Sequence, residues 1–168
     1  GDWGIGSWEV YDGLFFRDLE PVEPTELLGV KASMLDSEIY ELAQERSRNT
    51  EQYHGDPVHE AGVPLSEAFD KLAFRRSYDS SSEYLLIDGP TGLAHSQEDG
   101  NSIIRLCWND RIWLADLDYI RRLARYHNSV VIGKDGACYP KPTQVALKAI
   151  ADFQEWGYSQ TVSLADVV

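Results

Sequence analysis

Five short apolar runs, the first of which begins at Leu72, constrain the fold of this 168-residue chain more than any other feature. They read LAFRR, EYLLIDG, SIIRLCW, RIWLADL and NSVVIG. Each run is rich in branched and aromatic side chains and is bounded by Asp, Gly, Asn or Ser, a pattern typical of strands. The pair Asn109-Asp110 has the composition of a two-residue hairpin turn. The sequence therefore predicts a mainly β protein, an antiparallel β-sandwich, from about residue 70 onward.

Three further segments are interpreted from their periodicity. Residues 36–45, DSEIYELAQE, combine a capping residue with helical apolar spacing and predict a short helix. Residues 145–157, VALKAIADFQEWG, also have helical spacing, but they lead through a glycine into YSQTVSLADV, and we favour strands there. Residues 46–62 lack periodicity and are expected to form a loop, in which the spacing of His54 and His59 does not favour a metal site.

Composition limits the classes of function. An apolar fraction of 43% and an aromatic fraction of 11% are typical of a folded globular domain. The net charge of −13 argues against a partner that is nucleic acid or an anionic membrane. No apolar run approaches the roughly 20 residues that are needed to span a bilayer.

Both ends of the sequence indicate a segment of a longer protein. The chain opens with GDWGIGSWEV, which has no leader pattern, and TVSLADVV stops within an apolar run. We therefore expect residues 1–30 to be a junction with a preceding domain. Residues 31–168 are expected to form the β-sandwich domain, which would be incomplete at its C-terminal end.

Polar side chains lie where the predicted strands end. The stretch TGLAHSQEDGN places His95, Gln97 and Asp99 at alternate positions, so they share a face if the backbone there is extended. Asp116 ends the arm RIWLAD, and His127 stands at the start of the next predicted strand. These groups are either separate polar ends of strands or one polar site at which adjacent strands converge.

Four motifs resemble a known family in their order along the chain. They are DKLAFR, YLLIDGPTGLAHSQEDGNSI, NDRIWLAD and YHNSVVI, and over residues 70–135 they resemble the β-sandwich part of the heparinase II/III-like polysaccharide lyases. Such enzymes pair an N-terminal α/α toroid with a C-terminal antiparallel β-sandwich. The resemblance implies a secreted or periplasmic lyase that cleaves uronic-acid-containing, glycosaminoglycan- or alginate-like polysaccharide by β-elimination. The family's catalytic tyrosine comes from the toroid, so we expect this chain alone to lack a complete active site.

The family's H-x-H-x-D motif falls on His95 to Asp99. The resemblance implies that His95 is catalytic and that Asp116 and His127 belong to a structural zinc site found in several relatives. The second histidine of the motif, usually a metal ligand, is Gln97 here. Zinc prefers imidazole, thiolate and carboxylate ligands over a neutral amide, so we expect any zinc site to be weak or absent. Gln97 would then hydrogen-bond Asp116 or His127 instead.

The chemistry of β-elimination suggests how an anionic sugar is held. Removing the proton next to a uronate carboxylate requires that the carboxylate's charge be offset, and it requires an acid and a base. His95 suits charge stabilisation or proton transfer because an imidazole titrates near neutral pH. The excess acid of the chain lies almost wholly before residue 101, whereas RRLARY gathers Arg121, Arg122, Arg125 and Tyr126. We interpret these four as substrate-binding residues, with an exposed basic loop as the alternative.

Two other classes of protein remain open. The first is a non-catalytic sandwich that binds carbohydrate through exposed aromatic side chains, for which the candidates are Trp108, Trp113, Tyr119 and Tyr126. The second is a structural domain whose polar loop merely closes the sandwich. A lyase forms an unsaturated product that absorbs ultraviolet light, whereas a binding module does not.

Overall fold

The computed structural model describes residues 27–48, 58–59, 62–90, 98–116, 121, 123–130, 133–134, 137–138, 141–142 and 144–163. Its helix is α1 (Ser37–Arg48), and a 3-10 helix spans Ala124–Tyr126. Its strands are β1 (Gly29–Met34), β2 (Val58–His59), β3 (Phe69–Arg75), β4 (Tyr84–Asp88), β5 (Ile103–Trp108), β6 (Arg111–Ala115), β7 (Gly133–Lys134), β8 (Ala137–Cys138), β9 (Lys141–Pro142), β10 (Ala146–Asp152) and β11 (Gly157–Val162).

A five-stranded antiparallel sheet organises the described residues. Its strand order is β1-β3-β4-β5-β6, and β10 pairs with β11 in a separate antiparallel hairpin. The prediction of a mainly β, antiparallel fold with a short helix in the N-terminal part is confirmed. The choice of strands over a helix for residues 145–157 is confirmed as well, because β10 covers most of that segment.

The β5–β6 hairpin turns on the two residues that the sequence indicated. Asn109 and Asp110 have φ values of 54° and 57°, so both are left-handed. Two left-handed residues make the tight turn whose twist matches that of the flanking strands, and Asn and Asp tolerate this conformation better than most residues. The turn therefore places Trp108 opposite Arg111 and sets the register of β6.

Apolar side chains from two layers bury one face of the sheet. Phe69 and Leu72 of β3 are almost fully buried and pack with Val145, which precedes β10. Leu147 of β10 packs on the same cluster, and Gly157 at the start of β11 lies directly against β1 and β3. Each fully buried side chain of this size contributes about 1.5–3 kcal/mol to folding. The β10–β11 hairpin is thus the second layer over the β1–β3 side of the sheet.

The opposite face of the sheet, called the polar face here, carries charged side chains of β3 and β4. A bulge in the β1–β3 pairing next to Phe69 lets that residue share the core with Leu72. From Lys71 onward side chains alternate, so the register that turns Leu72 and Phe74 inward turns Lys71 and Arg75 outward. In that register Lys71 lies opposite Asp88, and Arg75 lies opposite Tyr84. All four are partly exposed, so the polar chemistry of the sheet is concentrated on this face and at the strand ends.

Helix α1 is fixed at its start and along one side. Asp36 caps it by accepting a hydrogen bond from the Glu38 N–H at 2.8 Å. Ala43 is fully buried, and the adjacent Gln44 donates from Nε2 to Oε1 of Gln144 at 3.1 Å. A buried pair of amides therefore joins α1 to the segment that leads into β10.

The prediction of a strand over NSVVIG is wrong for residues 128–130. The 3-10 helix runs directly into a turn, in which the Ser129 N–H donates to the His127 carbonyl at 2.8 Å. The Ser129 hydroxyl donates to the Ala124 carbonyl, and the Asn128 amide donates to the Ile103 carbonyl. Such side-chain bonds to nearby backbone compete with strand pairing. His127 therefore stands in a turn rather than at the start of a strand, and only Gly133–Lys134 of this region are a strand among the described residues.

The expected junction segment lies mostly outside the described residues, which begin at residue 27. Its last two residues, Gly29 and Val30, are the first residues of β1. No helix among the described ranges is long and apolar enough to cross a membrane.

Gly89 allows a close backbone approach that no other residue permits. A Cβ atom there would overlap the Phe69 carbonyl oxygen, because the Gly89 N–H donates to the neighbouring Asp70 carbonyl at 2.8 Å. We expect Gly89→Ala to lower the free energy of unfolding by about 3 kcal/mol or more, measured by urea denaturation. Gly62→Ala is the control, since that glycine has a φ of 62° but nothing within 4 Å of the added atom. Gly62→Ala should lower the free energy of unfolding by only about 1–2 kcal/mol. Equal decreases in both variants would contradict the overlap at Gly89.

Candidate functional site

The candidate site lies at one end of the sheet, where three strand ends meet. Strand β4 ends at Asp88, β5 begins at Ile103 and β6 ends at Ala115, and antiparallel pairing puts these ends at the same edge. The Asp88 N–H donates to the Ser102 carbonyl at 2.9 Å, which closes the β4–β5 connection. Of the stretch TGLAHSQEDGN, the described residues 98–101 lie in that connection, at this edge of the sheet.

Asp116 and His127 contact each other at this edge. Asp116 directly follows β6, and its N–H donates to the Ile104 carbonyl at 2.8 Å. Nδ1 of His127 lies 2.8 Å from Oδ2 of Asp116. The side chains are only 3% and 13% exposed, so water screens the contact poorly. Two residues that are eleven positions apart in sequence therefore form one buried acid–imidazole pair.

The contact determines which ring nitrogen of His127 carries the proton. A carboxylate only accepts hydrogen bonds, so Nδ1 carries the proton that Asp116 binds. In the neutral ring Nε2 is then the acceptor nitrogen. That atom is buried and has no hydrogen-bond partner in the part of the chain that the structure describes. Leaving such an acceptor unsatisfied costs about 1–3 kcal/mol, which makes Nε2 the group of this pair that is free to bind a proton donor.

Glu98 joins the polar stretch to the segment that carries His127. Its Oε2 accepts a hydrogen bond from the Ala124 N–H at 2.9 Å, at the first residue of the 3-10 helix. On the other side of the turn the Ile103 N–H donates to the Asn128 carbonyl at 3.0 Å. Sequence reasoning missed Glu98, because strict alternation put it on the face opposite His95.

The predicted substrate-binding residues are found beside this segment. Arg121, Arg125 and Tyr126 are exposed, and both guanidinium groups lie over the tyrosine ring, 5.3 and 5.0 Å from its centroid. Such cation–π contacts are worth about 0.5–1 kcal/mol at exposed positions. We call these three residues the arginine cluster. Arg122 lies outside the described residues.

His95 and Gln97 both lie outside the described residues, as do Tyr119 and His54. The two tryptophans considered for carbohydrate binding, Trp108 and Trp113, are each 53% exposed. They stand on the β5–β6 hairpin, where the Trp113 Nε1–H donates to the Trp108 carbonyl at 3.1 Å.

A lysine between two aspartates lies at the same edge on the polar face. Nζ of Lys71 is 2.8 Å from Oδ1 of Asp88 and 2.9 Å from Oδ1 of Asp70. Burial alone would lower the pKa of Lys71, but the hydrogen bonds and charges of the two carboxylates outweigh it and raise the pKa. Sequence reasoning missed this group, since only the β3–β4 register brings Lys71 opposite Asp88.

The pKa of the Asp88 carboxyl is raised, although Asp88 forms an ion pair with Lys71. Burial raises the pKa of its carboxyl to about 6, and the nearby charges of Asp99 and Asp70 add to this effect. Lys71 opposes the shift through its hydrogen bond and its charge. An ion pair by itself would lower the pKa, so the loss of hydration at this position is the stronger of the two effects.

Among the described residues, the groups at this edge do not complete a zinc site. Structural zinc takes four ligands, mostly from Cys and His. Within the described ranges, no three His, Cys, Asp or Glu side chains are placed to hold a metal together. The two residues that the resemblance assigns to zinc, Asp116 and His127, bind each other through Oδ2 and Nδ1, so this pair offers a metal one imidazole nitrogen, Nε2, which is too few ligands for a structural zinc site.

We therefore expect protein purified without chelator to contain well below one zinc per chain by elemental analysis. Gln97→Ala should leave that content unchanged, whereas Gln97→His restores the motif's second imidazole and should increase it. Stoichiometric zinc that is lost in both Asp116→Ala and His127→Ala would contradict this expectation.

Asp88 should make stability depend on pH. Its folded-state pKa of about 6 is above the unfolded value of 3.8, so its contribution is fully present below about pH 4 and is lost as the pH rises through 6. Between pH 4 and pH 7, the free energy of unfolding of the native protein, measured with urea, should fall by about 2–3 kcal/mol relative to that of Asp88→Asn. Glu41→Gln, on the exposed side of α1, should follow the native protein throughout. Parallel curves for the native protein and Asp88→Asn would show that Asp88 titrates normally.

Comparison with known proteins adds no relative to these observations. No family model, curated protein or solved structure matches the chain. The candidate function is therefore inferred from the ordered motifs in the sequence and from the contacts of the described residues, above all the pair formed by Asp116 and His127.

Proposed function

We propose that the chain is the β-sandwich part of a heparinase II/III-like polysaccharide lyase. It would cleave uronic-acid-containing, glycosaminoglycan- or alginate-like polysaccharide by β-elimination. The observation that carries this proposal is the buried contact between Asp116 and His127, since these are the two residues that the family motifs assign to one site. Glu98 supports it, because it joins the end of the H-x-H-x-D stretch to the same site.

The reaction needs three groups acting on one sugar bond. A base removes the C5 proton, the electron pair forms the double bond between C4 and C5, and the glycosidic oxygen leaves C4 with a proton from an acid. The uronate carboxylate gains negative charge in between and has to be stabilised. We assign that stabilisation or a proton transfer to His95, and in the family the remaining acid–base group is a tyrosine of the toroid.

The described contacts suit a rigid support for such a site. Asp116 orients His127, Glu98 holds the Ala124 N–H, and Asn128 bonds to Ile103 of β5. Together they join Glu98, the start of β5 and the 3-10 helix through hydrogen bonds. Catalytic groups gain from support of this kind because small displacements of a reacting group are costly.

The arginine cluster supplies positive charge next to this support. The whole chain has a net charge of −13, which by itself repels an anionic polymer. Arg121 and Arg125 are exposed, and guanidinium groups match the geometry of carboxylates and sulfates. Tyr126 lies under both groups and limits their movement. We propose that these residues, with Arg122, bind the anionic sugar.

A non-catalytic carbohydrate-binding domain is the second candidate. It is favoured by Trp108 and Trp113, which are exposed and contact each other, since contiguous exposed apolar surface marks binding sites. A structural domain without ligands is the third. Product formation separates the first candidate from the other two, because only β-elimination creates a carbon–carbon double bond that absorbs ultraviolet light.

In the full-length protein that contains this chain, His95→Ala should lower kcat for unsaturated-product formation roughly a hundredfold or more, the scale of a lost acid–base or charge-stabilising group. Its thermal unfolding should change little. His59→Ala is the matched control, because this histidine lies outside the four motifs, and its turnover should be normal. Normal turnover in His95→Ala, or loss of folding, would make His95 a structural residue.

The same assay tests the arginine cluster. Arg121→Ala and Arg125→Ala should mainly raise KM, since they act on binding more than on the transition state. The advantage of the native protein over these variants should shrink as salt is added, because salt screens exposed charges. Lys31→Ala removes an exposed cation from β1 and should leave KM unchanged.

A further inference from the structure

A cavity of about 250 Å³ lies at the end of the sheet opposite the Asp116–His127 pair. Its floor is a row of apolar side chains from neighbouring strands, Val30, Phe74, Leu85 and Leu106. The turn between β10 and β11 forms its outer wall and includes Trp156. The volume is below the roughly 300 Å³ at which pockets begin to take drug-sized ligands, so the cavity suits a single sugar ring. We propose that it binds a neutral pyranose residue.

The exposed ring of Trp156 stands at the rim of the cavity, where it is accessible for stacking on a sugar. Trp156 stacks on Phe153 with ring centroids 4.1 Å apart and planes 18° from parallel. Trp156 nevertheless remains 60% exposed and Phe153 49% exposed, an unusual surface for apolar rings of this size. The negative face of an aromatic ring attracts the weakly positive C–H groups on one side of a pyranose. Phe153 thus fixes the orientation of an indole that stays accessible to a ligand.

The turn that carries Trp156 is held rigidly on the sheet. The Asp152 carboxylate accepts from the Val30 N–H at 3.2 Å and from the Gln154 N–H at 3.0 Å. Directly after Trp156, Gly157 packs so closely on Val30 that a Cβ atom would not fit. A rigid site loses little conformational entropy when a ligand binds, so weak polar and stacking contacts suffice.

Hydrogen-bonding groups at the rim match sugar hydroxyls. Glu83 and Glu155 line the cavity, are exposed, and have no hydrogen bond or ion pair through their carboxylates in the described ranges. Carboxylates accept hydrogen bonds from adjacent hydroxyl groups, whereas Arg76 supplies donors on the same rim. Arg75 is less available, because its guanidinium lies over the Tyr84 ring, 3.9 Å from the centroid.

The charge of the lining selects against a uronate. Two cationic side chains, Arg75 and Arg76, face three carboxylates, Glu83, Asp152 and Glu155. The excess negative charge would repel the carboxylate of an acidic sugar but not a neutral one. This assignment does not depend on lyase activity, since it concerns binding at the other end of the sheet.

The test is isothermal titration calorimetry on the full-length protein with a panel of neutral hexasaccharides, namely cellohexaose, xylohexaose, mannohexaose and chitohexaose. At least one should bind, and Trp156→Ala should weaken that binding about tenfold or more, because the stacked ring is removed. Ile112→Ala removes an equally exposed apolar side chain from β6, away from the cavity, and should leave the affinity unchanged. Failure of all four probes to bind, or an equal loss in both variants, would overturn the proposal.

Two further variants make the result independent of folding and of catalysis. Glu83→Gln preserves the size of the side chain but removes its charge, and it should weaken neutral-sugar binding several-fold while hexagalacturonate gains affinity. No change in either affinity would count against the proposal even if Trp156→Ala proved unstable. His95→Ala should bind the neutral probe normally, so a failed lyase assay and a failed binding site give different results.

Discussion

The burial of one sheet face under Val145 and Leu147 is the constraint on which the rest of the structure depends. A slip of one residue in the pairing of β3 would turn Leu72 from the core to solvent, so the apolar contacts fix the register. The register in turn decides which polar groups meet, and it is the reason that Lys71 faces Asp88. Chemistry on the open face is therefore a consequence of packing on the covered one.

At the candidate site, the loss of hydration on burial decides how the polar groups pair and titrate. Asp116 and His127 are nearly buried, and a buried pair is stabilising only if both partners are present, because either one alone would be an unpaired polar group without water. Lys71 and Asp88 are less deeply buried, and there the lost hydration decides the protonation of the carboxyl. One edge of the sheet thus combines a tightly paired imidazole with a carboxyl whose charge responds to mild acid.

Much of the fold could be predicted from the sequence because its signals are local. Alternating apolar runs and the Asn109-Asp110 turn indicated the strands without any long-range information. The wrong strand at residues 128–130 has a local cause too, since Ser129 bonds to the backbone of the preceding 3-10 helix. The contacts of Lys71 and Glu98 could not be predicted, because each joins segments whose relative position is set by register and by loops. The exposed stack of Phe153 and Trp156 was missed for a similar reason, as apolar spacing alone does not reveal which side of a hairpin is covered.

The buried amides of Gln44 and Gln144 have a consequence for how this fold can change in evolution. Apolar side chains would hold α1 in several nearly equivalent orientations, whereas the hydrogen bond between the two amides forms in few of them. Either residue can be replaced by an apolar one only if the other changes as well, since the remaining amide would otherwise be buried without its partner. Positions 44 and 144, a hundred residues apart, are therefore expected to vary together, because the two residues orient the helix as a pair.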